Sequence, residues 1–301
     1  MSSTPYHVPV LLQESIDGLA LTSEGIYLDL TYGGGGHSRE ILNQLEGGKL
    51  FAFDQDKEAF QNLPDDSRFK LLNQNFKYLK TALLMYGIKQ VDGILADLGV
   101  SSHQFDTAER GFSFRFDAEL DMRMNKQTNL TAKDILNTYS ADELTRVFSR
   151  YGEVYNSKSL AQRIIKTRTE HEIGSTEDLV NILQQFTNAR QANKYYAQVF
   201  QALRIEVNQE MEALEQFLLA SSDLVKPGGR LSIITYHSLE DRLVKRYIQS
   251  GNFRGEVETD MFGKPLVPFK KVNKKPILPT DSELELNSRS RSAKLRIAEK
   301  L

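Results

Sequence analysis

Four consecutive glycines, Gly33 to Gly36, stand between an apolar segment at residues 26–30 and an amphipathic segment at residues 38–45. The apolar segment predicts a strand and the amphipathic one predicts a helix. Glycine lets the backbone approach a bound ligand closely, and four glycines cost more chain entropy than a plain connection requires. The segment therefore predicts a nucleotide-type cofactor site at a helix N-terminus, with a tight turn that binds no ligand as the simpler alternative.

The composition of the chain excludes several classes of protein. Of its 301 residues, 40% are hydrophobic, which is enough for a sizeable core, and none is a cysteine that could form a disulfide or bind a metal. No apolar run reaches the roughly 18 residues of a membrane span, and the N-terminus lacks the features of a signal peptide. The five histidines show no metal-ligand spacing. We expect a cytoplasmic protein with neither a metal nor a membrane segment.

Apolar runs alternate with helical segments through residues 1–100. The predicted strands lie at residues 26–30, 49–53, 69–72 and 91–96. This alternation is typical of a parallel sheet covered by helices on both faces, so we predict an α/β, Rossmann-like fold.

Residues 105–204 show no good strand and instead carry helical patterns with cap signals. Helix N-caps are predicted at Thr131, Ser140 and Ser175. We therefore predict an all-helical domain of residues 105–204, inserted into a domain formed by residues 1–104 and 205–301. We expect the inserted domain to recognise the substrate.

The α/β pattern returns after this insertion. A long amphipathic pattern covers residues 198–224, and residues 227–229 predict a turn before a strand at residues 230–235. Ser238 with Asp241 has the pattern of a capping box for a helix at residues 239–249.

Charge is distributed unevenly along the chain. Residues 226–301 hold 16 basic and 9 acidic side chains, whereas residues 1–225 hold 22 basic and 31 acidic ones. A basic end on an acidic body favours a polyanion as partner, although a solvated surface is the alternative. In the C-terminal part, where residues 270–276 predict a flexible basic loop, the predicted phosphate contacts are Lys270, Lys271, Lys274, Lys275, Arg289, Arg291, Lys294 and Arg296.

Two carboxylates at predicted strand ends narrow the choice of cofactor. A dinucleotide fingerprint needs a third glycine, and Ser38 stands in its place. Asp54, 21 residues after Gly33, can accept both hydroxyls of a ribose, or it can cap the next helix. Asp97 ends the fourth predicted strand, and a second carboxylate there favours methyl transfer to an amine over hydride transfer.

These residues lie in longer motifs that resemble the bacterial 16S rRNA cytosine-N4 methyltransferases. Residues 31–38 are similar to that family's loop TFGRGGHS, and residues 97–104 to its DLGVSSPQ. The resemblance covers the chain from His7 to its end with the motifs in the family's order. The other matching segments are residues 108–114, 120–124, 200–208, 236–242 and 288–296. Three departures are small: Gly34 replaces an arginine, His103 a proline and Tyr236 a phenylalanine.

The resemblance implies S-adenosylmethionine as cofactor and a decoding-centre cytidine of 16S rRNA, within the assembled small ribosomal subunit, as substrate. It implies that Asp54 holds the ribose and that Phe76 lies near the adenine. The full set of implied cofactor contacts is Gly33, Gly35, Gly36, His37, Asp54, Phe76, Asp97 and Gln104.

Asp97 and His237 are the predicted catalytic residues. The exocyclic amine of cytosine is a poor nucleophile, and acceptors for its hydrogens, such as Asp97, free its lone pair. His237 follows the fifth strand and either contacts the target base or lies beside a helix cap. The aromatic residues of segment 110–116 either stack on RNA bases or pack in the core.

Two other functions remain compatible with these patterns. A nicotinamide-dependent oxidoreductase shares the glycine loop and Asp54, and a non-catalytic RNA-binding assembly factor could use the same fold as a scaffold. The oligomeric state is not encoded in any of these motifs.

Overall fold

A computed structural model describes residues 9–301, and His7, where the family resemblance begins, lies outside them. The chain divides into two compact units. The sheet unit is formed by residues up to Gly99 together with Met211–Leu301, and the helical unit is Val100–Glu210. The sequence-based boundaries fell at residues 104 and 205, a few residues inside these limits.

The sheet unit contains a seven-stranded sheet in the order β3-β2-β1-β4-β5-β7-β6. All neighbours pair in parallel except β7, which is antiparallel to both β5 and β6. The strands are β1 (Ile26–Asp29), β2 (Lys49–Asp54), β3 (Phe69–Asn73), β4 (Val91–Asp97), β5 (Val225–Thr235), β6 (Phe269–Lys271) and β7 (Lys294–Lys300). This is the α/β, Rossmann-like fold predicted from the sequence, with the order of strands reversing between β1 and β4.

Helices occupy most of the remaining chain. In chain order, the α-helices of the described residues are α1 (Leu12–Leu19), α2 (Gly36–Gln44), α3 (Leu79–Leu84), α4 (Ser102–Asp106), α5 (Ala132–Thr138), α6 (Ala141–Gly152), α7 (Ser157–Glu170), α8 (Thr176–Leu183), α9 (Ala192–Asn208), α10 (Glu210–Leu224), α11 (Ser238–Ser250) and α12 (Asp281–Leu286). Within residues 9–301, none of these helices is long and apolar enough to cross a membrane.

Both faces of the sheet are covered, as its apolar strands require. Leu28 and Ile94 pack in a core that includes side chains of α3, α10 and α11. Their chain neighbours Tyr27 and Leu95 point to the opposite face and pack with side chains of α1 and α2. Because β1 to β5 run in parallel, their carboxyl ends lie at the same edge of the sheet.

Two predictions for the second half of the sheet unit were wrong. Residues 227–229 are part of β5, where the register jumps from the pair Val91–Val225 to the pair Gly93–Arg230 and forms a bulge rather than a turn. The continuous pattern at residues 198–224 is two helices, because Gln209 adopts a left-handed conformation with φ of 52° between α9 and α10.

The helical unit begins its helices where the sequence predicted. Thr131, Ser140 and Ser175 each cap a helix through a capping box with the residue three positions later. The segment at residues 110–116 packs mainly into the core of this unit. Phe112 is buried there, and Phe114 makes edge-to-face contacts with Tyr196 and Phe200.

Two polar side chains hold the loop at residues 120–124 against these helices. Arg110, only 2% exposed, donates from Nη2 to the carbonyl oxygens of Arg123 at 2.9 Å and Met124 at 3.2 Å. Asn208, the last residue of α9, accepts from the Met124 N–H at 2.7 Å and donates to the Met122 oxygen at 2.8 Å. These two side chains thus supply hydrogen-bond partners to backbone groups of Met122, Arg123 and Met124.

Replacing Asn208 with alanine should destabilise the protein by about 2–3 kcal/mol, because partly buried backbone groups of Met122 and Met124 lose their partners. The midpoint of thermal unfolding measures the effect. Asn181→Ala, an exposed asparagine of the same unit, is the matched control and should leave the midpoint within error. Equal midpoints for both variants would contradict the structural role of Asn208.

Candidate active site

Three carboxylates end three adjacent strands of the sheet unit. Asp29 ends β1, Asp54 ends β2 and Asp97 ends β4, while Tyr236 follows the end of β5. In an open parallel sheet this edge, next to the reversal of strand order, is where ligands bind. The predicted cofactor loop lies between β1 and α2 at the same edge.

The glycines of the loop are required by its backbone and by its neighbours. Gly33 and Gly35 have φ of 50° and 75°, which favour glycine. A Cβ on Gly35 would lie 2.6 Å from the Tyr32 ring, and one on Gly36 would lie 2.1 Å from Cγ of Pro9. A side chain at either position would therefore displace the loop.

Asp54 binds this loop directly. Its Oδ2 accepts from the Gly33 N–H at 2.8 Å and its Oδ1 from the Asp56 N–H at 2.8 Å. Burial raises the pKa of Asp54 to about 6. A carboxylate has about four acceptor positions, so about two remain for ribose hydroxyls. The helix-cap alternative does not apply, because Asp56 caps the short helix Lys57–Asn62.

Asp29 was missed by the sequence analysis. It is fully buried, its Oδ2 accepts from the Ser38 hydroxyl at 2.6 Å, and its Oδ1 accepts from the Thr31 N–H at 3.1 Å. Burial raises the pKa of Asp29 to about 6. The signal was a lone acidic residue inside the apolar run at residues 26–30, where an unpaired charge is costly.

Asp97 is held from two sides. Its Oδ1 accepts from the Tyr236 hydroxyl at 2.8 Å, and its backbone N–H donates to Oγ1 of Thr31 at 2.7 Å. Burial raises the pKa of Asp97 to about 6, while the hydrogen bond from Tyr236 acts in the opposite direction. Burial, with the charge of Asp97 beside it, raises the pKa of Tyr236, so the phenol keeps its proton.

His37 is a neutral donor in this arrangement. Its Nε2 lies 3.1 Å from the Val10 carbonyl oxygen, which only accepts, so Nε2 carries the hydrogen. Burial lowers the pKa of His37, which keeps the ring uncharged near neutral pH.

His237 serves as the N-cap of α11. Its Nδ1 accepts from the Glu240 N–H at 3.4 Å, and its Nε2 lies 3.2 Å from Oε1 of Glu240. The predicted capping box of Ser238 and Asp241 was therefore wrong by one residue, and Asp241 instead pairs with Arg296 at 2.7 Å. Of the two roles predicted for His237, this geometry supports the cap, and the catalytic role stays a prediction.

Two further predicted contacts lie in different units. Phe76, in the sheet unit, follows β3 in a short helix and makes an edge contact with Phe217, with ring centroids 6.1 Å apart. Gln104, in the helical unit, is buried, and its Oε1 accepts from the Ser101 N–H at 3.1 Å in the capping box of α4. Gln104 thus has a local structural role.

The predicted phosphate contacts of the C-terminal part differ in their availability. Lys270 lies in β6 and pairs with Glu299 at 2.6 Å, and Arg296 lies in β7 with its guanidinium on Asp241. Lys271, Lys274 and Lys275 are exposed. The predicted flexible basic loop therefore begins as a paired edge strand, and Arg296 is a structural residue.

The chain is similar to known proteins over nearly its whole length. A family model described as the MraW methylase family matches residues 4–301. The Ribosomal RNA small subunit methyltransferase H of Christiangramia forsetii is 56% identical over 297 residues and covers 98% of each chain. The protein of the same name from Bacteroides thetaiotaomicron is 55% identical over 98% of this chain and 97% of its own. The chain belongs to the MraW methylase family.

Members of this family are methyltransferases that use S-adenosylmethionine, which confirms the predicted cofactor and enzyme class. The residues present fit that cofactor. A sulfonium is a cation, and the carboxylates of Asp29, Asp54 and Asp97 give this edge of the sheet negative potential. Membership of this family excludes the oxidoreductase alternative.

Asp97→Asn should stabilise the protein at neutral pH while keeping an acceptor for Tyr236. Because burial raises the pKa of Asp97 above its unfolded value, the folded wild type holds its proton longer, and its free energy of unfolding falls as pH rises from about 4 to about 6. The variant lacks this loss, so its advantage should grow over that window to at most about 3 kcal/mol. Urea unfolding at pH 4.5 and pH 7.5 measures it, and an equal difference at both pH values would contradict the raised pKa.

Proposed function

We propose that this methyltransferase acts in the cytoplasm and methylates the N4 amine of a cytidine in the decoding centre of 16S rRNA. Its substrate in this proposal is the assembled small ribosomal subunit. The observation that carries the proposal is the Asp97 carboxylate, held by the Tyr236 hydroxyl and Thr31 at the end of β4. The printed names of the relatives, which are ribosomal RNA small subunit methyltransferases, support the RNA as substrate.

S-adenosylmethionine supplies an electrophilic methyl group on a sulfonium sulfur. The residues proposed to hold it are the loop backbone from Gly33 to Gly36, His37 at the start of α2, Asp54 for the ribose and Phe76 for the adenine. Gln104 belongs to this proposed set through the family resemblance. Its capping bond to Ser101 makes its side chain a weaker candidate than Asp54.

Asp97 acts on the amine in this proposal. The lone pair of the exocyclic nitrogen is delocalised into the ring, and a carboxylate that accepts an amine hydrogen favours a pyramidal nitrogen with a freer lone pair. The carbonyl oxygens of Leu98 and Gly99, which follow directly, are further proposed acceptors. After transfer, the nitrogen carries one proton more than the product, and the ionised Asp97 receives it.

The remaining predicted roles stay proposals alongside this one. His237 is positioned after β5 by its capping bonds and is a second proposed contact to the target base. The helical unit is proposed to recognise the RNA, and the exposed Lys271, Lys274 and Lys275 are proposed to contact phosphates.

Asp97→Ala should lower methyl transfer at least about 100-fold, because the amine loses its hydrogen acceptor. The assay follows radiolabelled methyl transfer from S-adenosylmethionine to small subunits isolated from a strain that lacks this protein. Calorimetry of cofactor binding separates the chemical role from a binding role. Asp223→Asn, which removes an exposed carboxylate paired with Lys80, is the control and should have wild-type activity. Near-normal turnover of Asp97→Ala would remove Asp97 from the mechanism.

Tyr236→Phe should shift the acid limb of the pH–rate profile to higher pH. The tyrosine hydroxyl lowers the pKa of Asp97 by donating to the ionised carboxylate, so its loss raises that pKa. Turnover should fall several-fold at pH 6 and stay close to wild type at pH 8.5, where Asp97 is ionised in both proteins. A uniform loss across all pH values would indicate a packing role for Tyr236 instead.

A further inference from the structure

The helical unit carries an exposed tyrosine on a strongly basic part of its surface. Tyr155, between α6 and α7, is 81% exposed. Its ring lies 6.3 Å from that of Tyr195 on α9, and its hydroxyl donates to the Phe186 carbonyl oxygen at 3.4 Å. Exposed aromatic rings that are held in place in this way serve as platforms for stacking.

The surrounding segments are almost free of acidic residues. Residues 144–168 hold six basic side chains and one acidic one, and residues 184–205 hold three basic and no acidic ones. Several of the nine are used within the fold: Arg146 pairs with Glu206, Arg204 pairs with Glu210, and Arg168 donates to the carbonyl oxygens of Leu136 and Tyr139.

Of the other six, Arg150 lies over the Tyr151 ring and Arg163 donates to Oε1 of Gln185. That leaves four exposed basic side chains on these segments. Lys158 and Lys166 lie two turns apart on one face of α7, which begins two residues after Tyr155. Lys194 directly precedes Tyr195, and Arg190 lies just before the start of α9. The Tyr195 hydroxyl donates to Oδ1 of Asn156 at 2.9 Å and so fixes the start of α9 beside α7. Within residues 9–301 the structure shows no ion pair for these four. We call them, together with Tyr155, the tyrosine face.

We propose that the tyrosine face binds single-stranded RNA, with the ring of Tyr155 stacked on a base and the four cations on phosphates. The proposal rests on the proposed function, since it assumes an RNA substrate, and adds where the helical unit meets it. Basic side chains beside an exposed aromatic ring are the combination that binds single-stranded nucleic acid without sequence preference.

The test measures fluorescence anisotropy of a labelled single-stranded RNA of mixed sequence with the full chain. Tyr155→Ala should weaken binding about tenfold with an unchanged salt dependence, because it removes stacking and no charge. Tyr155→Phe keeps the ring and should bind within about twofold of wild type. Lys158→Gln should weaken binding and lower the slope of log affinity against log salt by about 0.7.

Controls distinguish the face from the fold and from the catalytic site. Tyr86→Ala removes a half-exposed tyrosine of the sheet unit and should bind as wild type, and thermal unfolding checks that each variant is folded. Heparin, a polyanion without bases, should respond to Lys158→Gln but not to Tyr155→Ala. An equal loss of heparin binding in Tyr155→Ala would overturn base stacking, and so would wild-type RNA affinity in that variant or no measurable RNA binding by the wild type.

Methyl transfer to small subunits separates this proposal from the proposed function. If wild type transfers methyl groups and Tyr155→Ala does so with the same KM, the tyrosine face is wrong while the function stands. If wild type binds RNA through Tyr155 but methylates no small subunit, the face stands and the proposed substrate is wrong. The expected result is a raised KM for small subunits with kcat unchanged.

Discussion

The structure of the active-site edge depends on three buried carboxylates that must each be satisfied. Burial raises the pKa values of Asp29, Asp54 and Asp97 to about 6, so their ionisation at neutral pH opposes folding. Hydrogen bonds from neighbouring segments offset part of that cost. The shape of the glycine loop follows from this requirement, because its first glycine N–H must reach Asp54.

The donors also connect the strand ends to one another. Thr31, in the loop after β1, accepts from the backbone of Asp97, and Tyr236, after β5, donates to its side chain. Ser38 of α2 donates to Asp29. The loop, the first helix after it and four adjacent strands are therefore fixed by the same few carboxylates. A site fixed in this way loses little entropy when it aligns a substrate. Alignment is the main contribution that an enzyme makes to a methyl transfer.

The sequence predicted those parts of the site in which local pattern and chemistry coincide. Gly33, Asp54 and Asp97 stand at the ends of apolar runs, where strand ends place side chains at the ligand edge. Asp29 was missed because it lies inside such a run rather than after it. β7 was missed because Lys294 and Arg296 were interpreted as phosphate contacts, although their alternation with apolar residues also predicts a strand.

The cap of α11 shows a limit of local rules. Serine is a preferred N-cap and histidine is not, so Ser238 was chosen over His237. The structure instead satisfies the turn with Nδ1 of His237 and with Glu240, whose Oε2 accepts from the Tyr236 N–H at 2.8 Å. That bond fixes the backbone of Tyr236, whose hydroxyl donates to Asp97. The position of the cap is therefore set by the site and not by propensity alone.

The motifs that identify the family are not all parts of the site. In the helical unit, the motif residues Arg110 and Asn208 bind backbone groups of the loop at residues 120–124. The two departures of the sheet unit from the family pattern, by contrast, lie in the glycine loop and beside Asp97. Gly34 removes an arginine from the loop, and Arg39 of α2 donates from Nη1 to the Gly34 carbonyl oxygen at 2.8 Å, so a cation remains at this loop. Tyr236 adds a donor to Asp97 that phenylalanine lacks. The tyrosine at position 236 therefore strengthens the stabilisation of the ionised Asp97 carboxylate.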